Sequence, residues 1–310
     1  MFRKSIFVFF LCTFAIAFMP LTPGSSCFAS DPCAVQHPLD PPNKDFSGQC
    51  PNCGMGRPMW ARTWITFENS NGKSEVCSFH CLADVAIKAG EEPKNVMVTL
   101  YLEPPKMIPA EIASFVVGSK AKGTMSMTSK LAFSSPEEAQ KFAESCGGKV
   151  MSFGEAFAIA KEPITQENKV INQRRIKSGK IVEPVDGKDQ CIVCQMYPAR
   201  YAKNKCQLST MSNQVYHFCS THCLFNFLQD SKKYAKTEVK PVMIWVVDYP
   251  TGTWISGKTA YYVVGSKVDG PMGQEAIAFS RQSDAKDFAA KQGGKVLTLQ
   301  EVTMDKIMAK

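Results

Sequence analysis

Two short segments of the sequence carry sulfur side chains at the same spacing. In QCPNCGM, two residues separate Cys50 from Cys53, and Met55 stands two positions after the second cysteine. Thiolate and thioether sulfur together select Cu(I), whereas Zn(II) in proteins is bound mainly by thiolate, imidazole and carboxylate groups. The pattern therefore predicts soft-metal chemistry. The second segment, QCIVCQM, repeats it with Cys191, Cys194 and Met196.

A second pair of cysteines follows each segment. Cys77 and Cys81 come after 23 intervening residues, in VCSFHCL, and the second copy, FCSTHCL, has 24. Such spacing is typical of metal ligands, because a tight turn aims the first two sulfurs and a helix start presents the next two on one face. A histidine precedes the last cysteine each time, and we expect it to bind the metal or to contact a ligand. The remaining candidates of this pattern are His80 in the first copy and Cys219, His222 and Cys223 in the second.

Methionines in two later loops offer a third soft ligand. Met125 in KGTMSM and Met272 in DGPMG occupy equivalent positions. Most methionines fill hydrophobic cores, but a loop of glycine and proline gives Met272 little core to enter. We therefore interpret Met125 and Met272 as candidate Cu(I) ligands, with Met127 as a substitute for Met125. Structural zinc sites or disulfides explain the eight cysteines equally well, but they do not explain the methionines.

The two halves of the chain are tandem copies. FVVGSKAKGTM and YVVGSKVDGPM lie 147 positions apart, and GGKVMSFGEA and GGKVLTLQEV lie 146 apart. Such self-similarity indicates structural repeats. The predicted fold class is α+β, with two units that each contain a cysteine-knuckle ββα subdomain and a second, small ββαβ subdomain. The predicted boundaries are a signal peptide at 1–29, a Pro-rich arm at 30–45, unit 1 at 46–160, a linker at 161–187 and unit 2 at 188–305.

Helix signals place the second cysteine pair at the start of a helix. In FHCLADVAIKAG, apolar residues recur at helical spacing and Gly90 predicts the end of the helix. Another helix is predicted later in the unit, with Ser134 as N-cap and Gly147 as terminator. We expect Ser280 and Gly293 to play the same roles in the second copy.

The N-terminus has the composition of a secretory signal, with the charged MFRK followed by an apolar run and small residues. An uncleaved anchor and a lipid on Cys27 are the alternatives to cleavage. The net charge of +8 comes from scattered residues, so nucleic acid is not an expected partner. The 13 cysteines are many for an exported chain, where thiols form disulfides unless a metal or a reductant holds them. Cys146 and Cys206 lack counterparts in the other copy and are interpreted as buried thiols or as one pair.

The segments CPNCGM, AYYVVGSKVDGPMGQEAIAFS and GGKV, with the final acidic Glu301, resemble the NosL family, the copper-binding accessory proteins of nitrous oxide reductase assembly. The resemblance implies an exported, often lipid-anchored protein that binds Cu(I) through cysteine and methionine and delivers it to the reductase. Gln195 departs from the family's Cys-Gly-Met, and the CSFHC and CSTHC pairs resemble YHS/TRASH metal-binding knuckles. The residues to which the resemblance points are Cys53, Met55 and Met125 in unit 1, and Cys194, Met196 and Met272 in unit 2.

The predicted function is a non-enzymatic Cu(I) chaperone of the periplasm or cell envelope. Its expected partners are a recipient copper enzyme, such as nitrous oxide reductase, or other copper carriers. A structural or sensing Zn(II) module without metal transfer is the alternative, in which four cysteines close the coordination sphere. A thiol-disulfide oxidoreductase is disfavoured, because its Cys-x-x-Cys pair starts a helix of a thioredoxin-like unit, whereas this pair precedes strand-like sequence. No combination of serine, histidine and carboxylate residues predicts an enzyme.

Overall fold

A computed structural model describes residues 33, 39, 42–44 and 46–309. The predicted signal peptide, Cys27 and most of the Pro-rich arm lie outside the described residues. The described part combines helices with antiparallel sheets, which confirms the α+β prediction. Within it, every helix is too short or too polar to cross a membrane.

Unit 1 consists of two small antiparallel sheets with helices packed on them. The elements of unit 1 and of the segment after it are α1 Arg57–Trp60, a 3-10 helix Ala61–Thr63, β1 Ile65–Asn69, β2 Gly72–Val76, α2 Phe79–Ala89, β3 Lys94–Thr99, β4 Met107–Pro109, β5 Ser114–Val117, β6 Lys130–Phe133, α3 Pro136–Cys146, β7 Lys149–Met151, α4 Phe153–Lys161 and α5 Ile164–Lys177. The first sheet has the strand order β2-β1-β3-β4 and the second has the order β6-β5-β7. Helix α2 packs beside α4, and α3 packs on the second sheet.

Unit 2 repeats this arrangement. Its elements are a 3-10 helix Pro198–Arg200, β8 Cys206–Ser209, β9 Val215–Phe218, α6 Thr221–Gln229, α7 Ser231–Ala235, β10 Met243–Val247, β11 Trp254–Ser256, β12 Tyr261–Val264, β13 Asp269–Gly270, β14 Gly273–Gln274, β15 Ile277–Phe279, α8 Gln282–Gln292, β16 Lys295–Thr298 and α9 Met304–Met308. The order β11-β10-β8-β9 is that of the first sheet of unit 1 listed from the opposite edge, and β15-β12-β16 matches β6-β5-β7. The tandem repeat is therefore confirmed at the level of topology.

Helix α2 starts within the second cysteine pair and ends at the predicted glycine. Ser78 is the N-cap, and its hydroxyl accepts a hydrogen bond from the backbone N–H of Cys81 at 3.4 Å. Gly90 ends the helix with a φ of 70°, a left-handed conformation that glycine adopts without steric cost. These caps hold Cys81 in the first helical turn, where its side chain is fully buried.

The N-caps of the two later helices lie one residue beyond their predicted positions. Ser135 caps α3 by accepting a hydrogen bond from the N–H of Glu138, while Ser134 donates to the Glu138 carboxylate. Arg281 occupies the N-cap position of α8, and the N–H of Ser280 donates to the Asp248 carboxylate at 2.6 Å. Sequence spacing does not tell which of two adjacent residues takes the cap conformation. The predicted terminators are confirmed as Gly147 and Gly293.

The segment predicted to link the units, residues 161–187, contains the whole of α5. The first half of this helix contacts unit 1, where the Asn168 amide donates to the Asp84 carboxylate of α2 at 2.8 Å. The second half contacts unit 2, where the Asn172 amide donates to the backbone oxygen of Trp254 at 3.0 Å. Ile164 and Ile171 of the helix are buried as well, but most of its other residues are polar, so the sequence shows no continuous apolar stripe. Helix α5 therefore holds the two units against each other.

A disulfide joins Cys33 of the arm to Cys146 at the end of α3. The two interpretations of Cys146 from the sequence, a buried thiol or a partner of Cys206, are therefore wrong. Cys206 is a buried free thiol. The two bonded cysteines are 113 positions apart, and connectivity among many cysteines is not deducible from spacing. The bond attaches the arm to unit 1.

Candidate metal centre

Four cysteine side chains of unit 1 converge in its core and form sulfur group 1. All four Sγ atoms lie within 4.8 Å of one another. The Sγ atoms of Cys53 and Cys77 are 3.3 Å apart, and those of Cys77 and Cys81 are 3.6 Å apart. Each of the four residues is at most 7% exposed. The members of sulfur group 1 are Cys50, Cys53, Cys77 and Cys81.

A tight turn aims the first two sulfurs of this group. The N–H of Gly54 donates to the backbone oxygen of Cys50 at 2.7 Å, and the N–H of Cys50 donates to that of Met55 at 2.9 Å. Gly54 has a φ of 78°, a left-handed conformation that costs other residues about 1–2 kcal/mol. The start of α2 supplies the second pair of sulfurs. Both elements are local, which is why the spacing alone predicted them.

The equivalent cysteines of unit 2 form sulfur group 2. The Sγ atoms of Cys194 and Cys219 are 3.3 Å apart, those of Cys219 and Cys223 are 3.6 Å apart, and Cys191 completes the group within 4.8 Å. The N–H of Gln195 donates to the backbone oxygen of Cys191 at 2.9 Å. Gln195 has a φ of 63°, so a residue with a side chain occupies the left-handed position of this turn. The departure at Gln195 therefore leaves the turn intact.

Both groups have the dimensions of a metal site. Four thiolates about 2.3 Å from Zn(II) define a tetrahedron with edges of about 3.8 Å, and the observed Sγ separations of 3.3 and 3.6 Å are close to that length. Cu(I) is also bound by thiolate. The eight cysteines are free thiols, so the disulfide alternative does not describe them. The donor set fits Zn(II) and Cu(I) alike.

The thiols of each group change one another's pKa. Hydrogen bonds from Cys219 and Cys223 lower the pKa of Cys191 to about 2. The Cys223 thiol retains its proton, because its hydrogen bonds to Cys191 and Cys219 raise its pKa. Burial raises the pKa of Cys50, but hydrogen bonds from the other three thiols of its group outweigh burial and bring it well below the ordinary value. Each group thus stabilises at least one thiolate, and a metal ion must displace the protons that remain.

The four candidate methionines border the cores that contain the sulfur groups. Met55 and Met125 pack half-buried against the core of unit 1, and Met196 and Met272 pack in the same way against that of unit 2. Met272 lies in the two-residue turn between β13 and β14. Met127, the predicted substitute, is 84% exposed. The thioethers therefore reach the edges of the right cores, and their role as ligands stays a prediction.

The two candidate histidines lie outside the sulfur groups. His80 is hydrogen-bonded through Nδ1 to Glu167 at 2.7 Å and through Nε2 to Asn168 at 3.2 Å. His222 is hydrogen-bonded through Nδ1 to the backbone oxygen of Gln274 at 2.9 Å. Both ring nitrogens of His80 are thus engaged by α5. In the structure, the histidines connect neighbouring elements to the helices that carry the second cysteine pairs.

A glutamate that the sequence analysis missed ties the Met125 loop to helix α2. Glu167 of α5, besides binding His80, accepts hydrogen bonds from the Ser126 hydroxyl at 2.8 Å and from the N–H of Met127 at 3.3 Å. Burial raises the pKa of Glu167, but the bonds to Ser126 and His80 outweigh burial, and the net pKa lies below the ordinary value. Glu167 is 41 positions from Ser126 and in a polar segment, so no sequence signal connected the two.

Unit 2 uses a different glutamate for the same purpose. Glu275 directly follows the hairpin that carries Met272, and it accepts hydrogen bonds at the start of α6 from the Thr221 hydroxyl at 2.8 Å and the N–H of His222 at 2.9 Å. It is 1% exposed, and burial raises its pKa. Its Oε1 has no hydrogen-bond partner among the described residues. In each unit a carboxylate therefore joins the methionine loop to the helix start.

A NosL family profile matches the sequence twice, over residues 45–158 and 182–307. The chain belongs to the NosL family. The resemblance read from the cysteine and methionine motifs is thereby confirmed. The whole of α5, including Glu167, lies between the two matched regions, whereas Glu275 lies within the second. The helix that joins the units is thus additional to the two NosL regions of this chain.

Two relatives carry the name copper-binding lipoprotein NosL. The protein from Stutzerimonas stutzeri is 33% identical over 130 residues, which cover 39% of this NosL chain and 66% of the relative. The protein from Achromobacter cycloclastes is 34% identical over 93 residues, which cover 26% and 48%. The matches therefore span less than two thirds of either relative. A crystal structure of the copper chaperone NosL from Shewanella denitrificans is 30% identical, covers 40% of this chain and 96% of its own, and has a TM-score of 0.34.

Proposed function

We propose that this NosL chain is a non-enzymatic Cu(I) carrier. The observation that carries the proposal is the pair of preassembled sulfur groups, each in a core bordered by half-buried methionines. The names of the relatives support copper as the ion. The family resemblance supports delivery to a copper enzyme such as nitrous oxide reductase, or to another copper carrier.

The chemistry of such a carrier is ligand exchange. Cys53 and Cys194 bind Cu(I) as thiolates, whose negative charge makes them the stronger ligands. Met55 and Met196 follow two positions later, and their neutral thioethers bind Cu(I) more weakly, so a recipient displaces them first. No covalent bond of a substrate changes, so no catalytic residue is required. The loop residues that offer further thioethers are Met125 and Met272.

A structural Zn(II) site is the second candidate function. One observation favours it: the four sulfurs of each group lie within 4.8 Å of one another, so they can close a tetrahedral coordination sphere and leave no position for a recipient. Zinc would then cross-link the cysteine turn to the following helix and stabilise the fold. The two candidates differ in whether binding needs methionine.

Competition titrations of the full chain distinguish these candidates. The protein is kept anaerobic with its sulfur groups reduced, and Cu(I) or Zn(II) is added against a chelator of known affinity. Met55→Leu and Met196→Leu remove a thioether at nearly constant volume. We expect Cu(I) affinity to fall by about tenfold or more, where each decade equals about 1.4 kcal/mol, and Zn(II) affinity to stay unchanged. Met211→Leu changes an 81% exposed methionine that is not a candidate ligand and is the matched control.

Two outcomes would contradict the copper proposal. Unchanged Cu(I) affinity in both methionine variants, together with tight Zn(II) binding, would support the structural zinc site. Failure of the unmodified chain to bind either ion would exclude both functions. A loss in Met211→Leu as large as in the other variants would show that the effect is not specific to the candidate ligands.

We also propose that the chain is exported to the bacterial periplasm or cell envelope. Both named relatives are lipoproteins, and residues 1–29 have the composition of a secretory signal. Cys27 would accept the lipid if the chain is anchored. Fatty-acid labelling and cell fractionation test this: we expect label that disappears in Cys27→Ser, or an unlabelled periplasmic protein after signal cleavage. Accumulation of the full-length chain in the cytosol would contradict export.

A further inference from the structure

Unit 2 covers the cysteine turn of unit 1. The hydroxyl of Ser256 donates to the backbone oxygen of Pro51 at 2.6 Å, and the hydroxyl of Thr259 donates to Oδ1 of Asn52 at 3.4 Å. Pro51 and Asn52 are the two residues between the first two cysteines of sulfur group 1. The contacts of unit 2 therefore fall directly on the ligand-bearing turn.

Two more side chains of unit 2 close the same face. Met243 lies so near Gly54 that a Cβ at this glycine would be 2.5 Å from the Met243 sulfur. Lys258, which donates to the backbone oxygen of Val242 at 2.7 Å, lines a cavity together with Pro51 of the turn. A cation at this position favours the negative charge that several thiolates bring to a metal. Unit 2 therefore contributes both cover and charge to sulfur group 1.

A buried polar network encloses the group from the side of unit 1. The amide of Asn52 donates to the carboxylate of Asp84 at 2.9 Å, and Lys88 donates to the same carboxylate at 2.7 Å. Asn52 is 4% exposed, and no cysteine of the group exceeds 7%. Any ligand from outside must therefore displace packed side chains before it reaches these sulfurs.

Sulfur group 2 lies nearer the surface. Cys194 is only half-buried, whereas the equivalent Cys53 is 7% exposed, and the neighbouring Gln195 is exposed. In the described part of the chain, the backbone hydrogen bonds of this turn stay within unit 2, as in the bond from the N–H of Ile192 to the backbone oxygen of His217 at 3.2 Å. The second group therefore has the open side that the first lacks.

We propose that the two sulfur groups have different tasks, an inference that rests on the proposed function because both groups must bind metal. Sulfur group 1 retains its ion and helps to join the units, and sulfur group 2 exchanges its ion with a partner. Exchange between sulfur ligands requires an incoming donor to approach the ion, and unit 2 blocks that approach at the first group. At the second, a thiol or thioether of a recipient protein reaches the ion beside Cys194.

The rate of metal release from the full chain tests this division. The chain is loaded with Zn(II) until both groups are filled and is then mixed with excess chelator, and the experiment is repeated with Cu(I). We expect two phases of equal amplitude that differ by roughly tenfold or more, since a separation of the units that costs only about 1.4 kcal/mol gives that factor. Cys194→Ser should remove the fast phase, and Cys53→Ser should remove the slow phase.

Variants that remove the contacts of unit 2 with the first cysteine turn test which release phase belongs to which sulfur group. Ser256→Ala combined with Thr259→Ala removes both hydroxyl contacts to the first turn, so the slow phase should become severalfold faster while the fast phase keeps its rate. Ser283→Ala changes an exposed hydroxyl of α8 and is the matched control. Alkylation of the unmodified, metal-loaded chain during release, followed by peptide mapping, should label the cysteines of sulfur group 2 first.

Each alternative result has a distinct meaning. Release of both ions in a single phase, or loss of the fast phase in Cys53→Ser, would overturn the division of tasks and leave the carrier proposal standing. Failure of the unmodified chain to bind metal would overturn the carrier proposal itself. If a cysteine variant does not fold, peptide mapping decides: labelling of Cys53 and Cys81 before Cys194 and Cys223 would overturn the division.

Discussion

Sulfur groups 1 and 2 have the same internal geometry and different surroundings. Sγ separations of 3.3 and 3.6 Å occur at equivalent positions in both. The first group is enclosed between the units, whereas the second reaches the surface through the half-buried Cys194. A local turn and a helix start produce the shared geometry, but the packing of unit 2 on unit 1 produces the difference. Duplication of a motif thus copies its cysteines without copying their access to solvent.

The methionine loops differ in a similar way. Glu167 holds the loop of unit 1 from α5, a helix of the linker, whereas Glu275 holds the hairpin of unit 2 from within the unit itself. Removal of α5 would therefore loosen the first loop and leave the second tied to its helix. The comparison suggests that unit 2 is the more independent of the two units.

The largest effect is expected when one ligand is removed from each group. Cys81→Ser and Cys223→Ser change equivalent cysteines that are fully buried. A bound ion stabilises the folded chain by about 4 kcal/mol when its concentration is a thousand times its Kd, so each variant should lose about that much. Cys81→Ser should lose more, because sulfur group 1 also lies between the units. Thermal unfolding of the metal-loaded variants measures this, and equal losses would argue against a joining role.

The disulfide between Cys33 and Cys146 constrains unit 1, and the described part of unit 2 has no such bond. Cys33→Ala opens the loop between two cysteines that are 113 positions apart, and should lower the free energy of unfolding by about 2–5 kcal/mol. Urea unfolding without reductant measures the change. Cys206→Ala, at a buried free thiol of unit 2, is the control and should cost about 1 kcal/mol. Similar values for the two variants would mean that the arm does not stabilise unit 1.

Substitution of the left-handed residue in each cysteine turn tests whether unit 2 covers sulfur group 1. Gly54→Gln places a side chain in the left-handed conformation, at about 1–2 kcal/mol, and against Met243, at about 1–3 kcal/mol more. Gln195→Gly should change stability by no more than about 1 kcal/mol, because that position is exposed. Chemical unfolding measures both. In Gly54→Gln combined with Met243→Ala, the overlap is relieved, and a double variant no better than Gly54→Gln would contradict the contact.

The smallest effects are expected for the two glutamates, whose contributions to stability should change in opposite directions as the pH rises. The pKa of Glu167 is lowered in the folded chain, so its charge adds stability above about pH 4.3, and that stability is lost as the pH falls through the folded pKa. Glu167→Gln should therefore cost about 1–2 kcal/mol at pH 7 and little in acid. Urea unfolding across this pH range measures the difference, and a cost that does not depend on pH would contradict a role for the charge.

Glu275 should show the reverse dependence. Its pKa is raised by burial, so the stability it contributes is present below the unfolded pKa and is lost as the pH rises through the folded pKa. Glu275→Gln should flatten this decline, because the amide carries no charge and keeps an oxygen acceptor for Thr221 and His222. The same unfolding series compares the two variants directly. Parallel pH profiles would show that the two carboxylates do not differ as the structure indicates.

Individual residues show how far sequence reasoning reached. The cysteine pairs, the helix end at Gly90 and the tandem topology followed from spacing, because each depends on hydrogen bonds within a few residues or on a repeated hydrophobic pattern. The N-cap of α3 was misplaced by one residue, since adjacent serines compete for the same role. Candidate ligand His80 proved to be bound by α5, because a side chain's partner depends on which element packs against it.

Local sequence set which cysteine side chains come together and at what spacing, since a turn closed between Cys50 and Met55 and a helix start at Ser78 involve only neighbouring residues. Local sequence did not set which sulfur group is enclosed and which is open. The bond from Ser256 to Pro51 joins residues 205 positions apart, and a contact of that length exists only when two folded units pack together. Local chemistry therefore sets what each site can bind, and packing sets what can reach it.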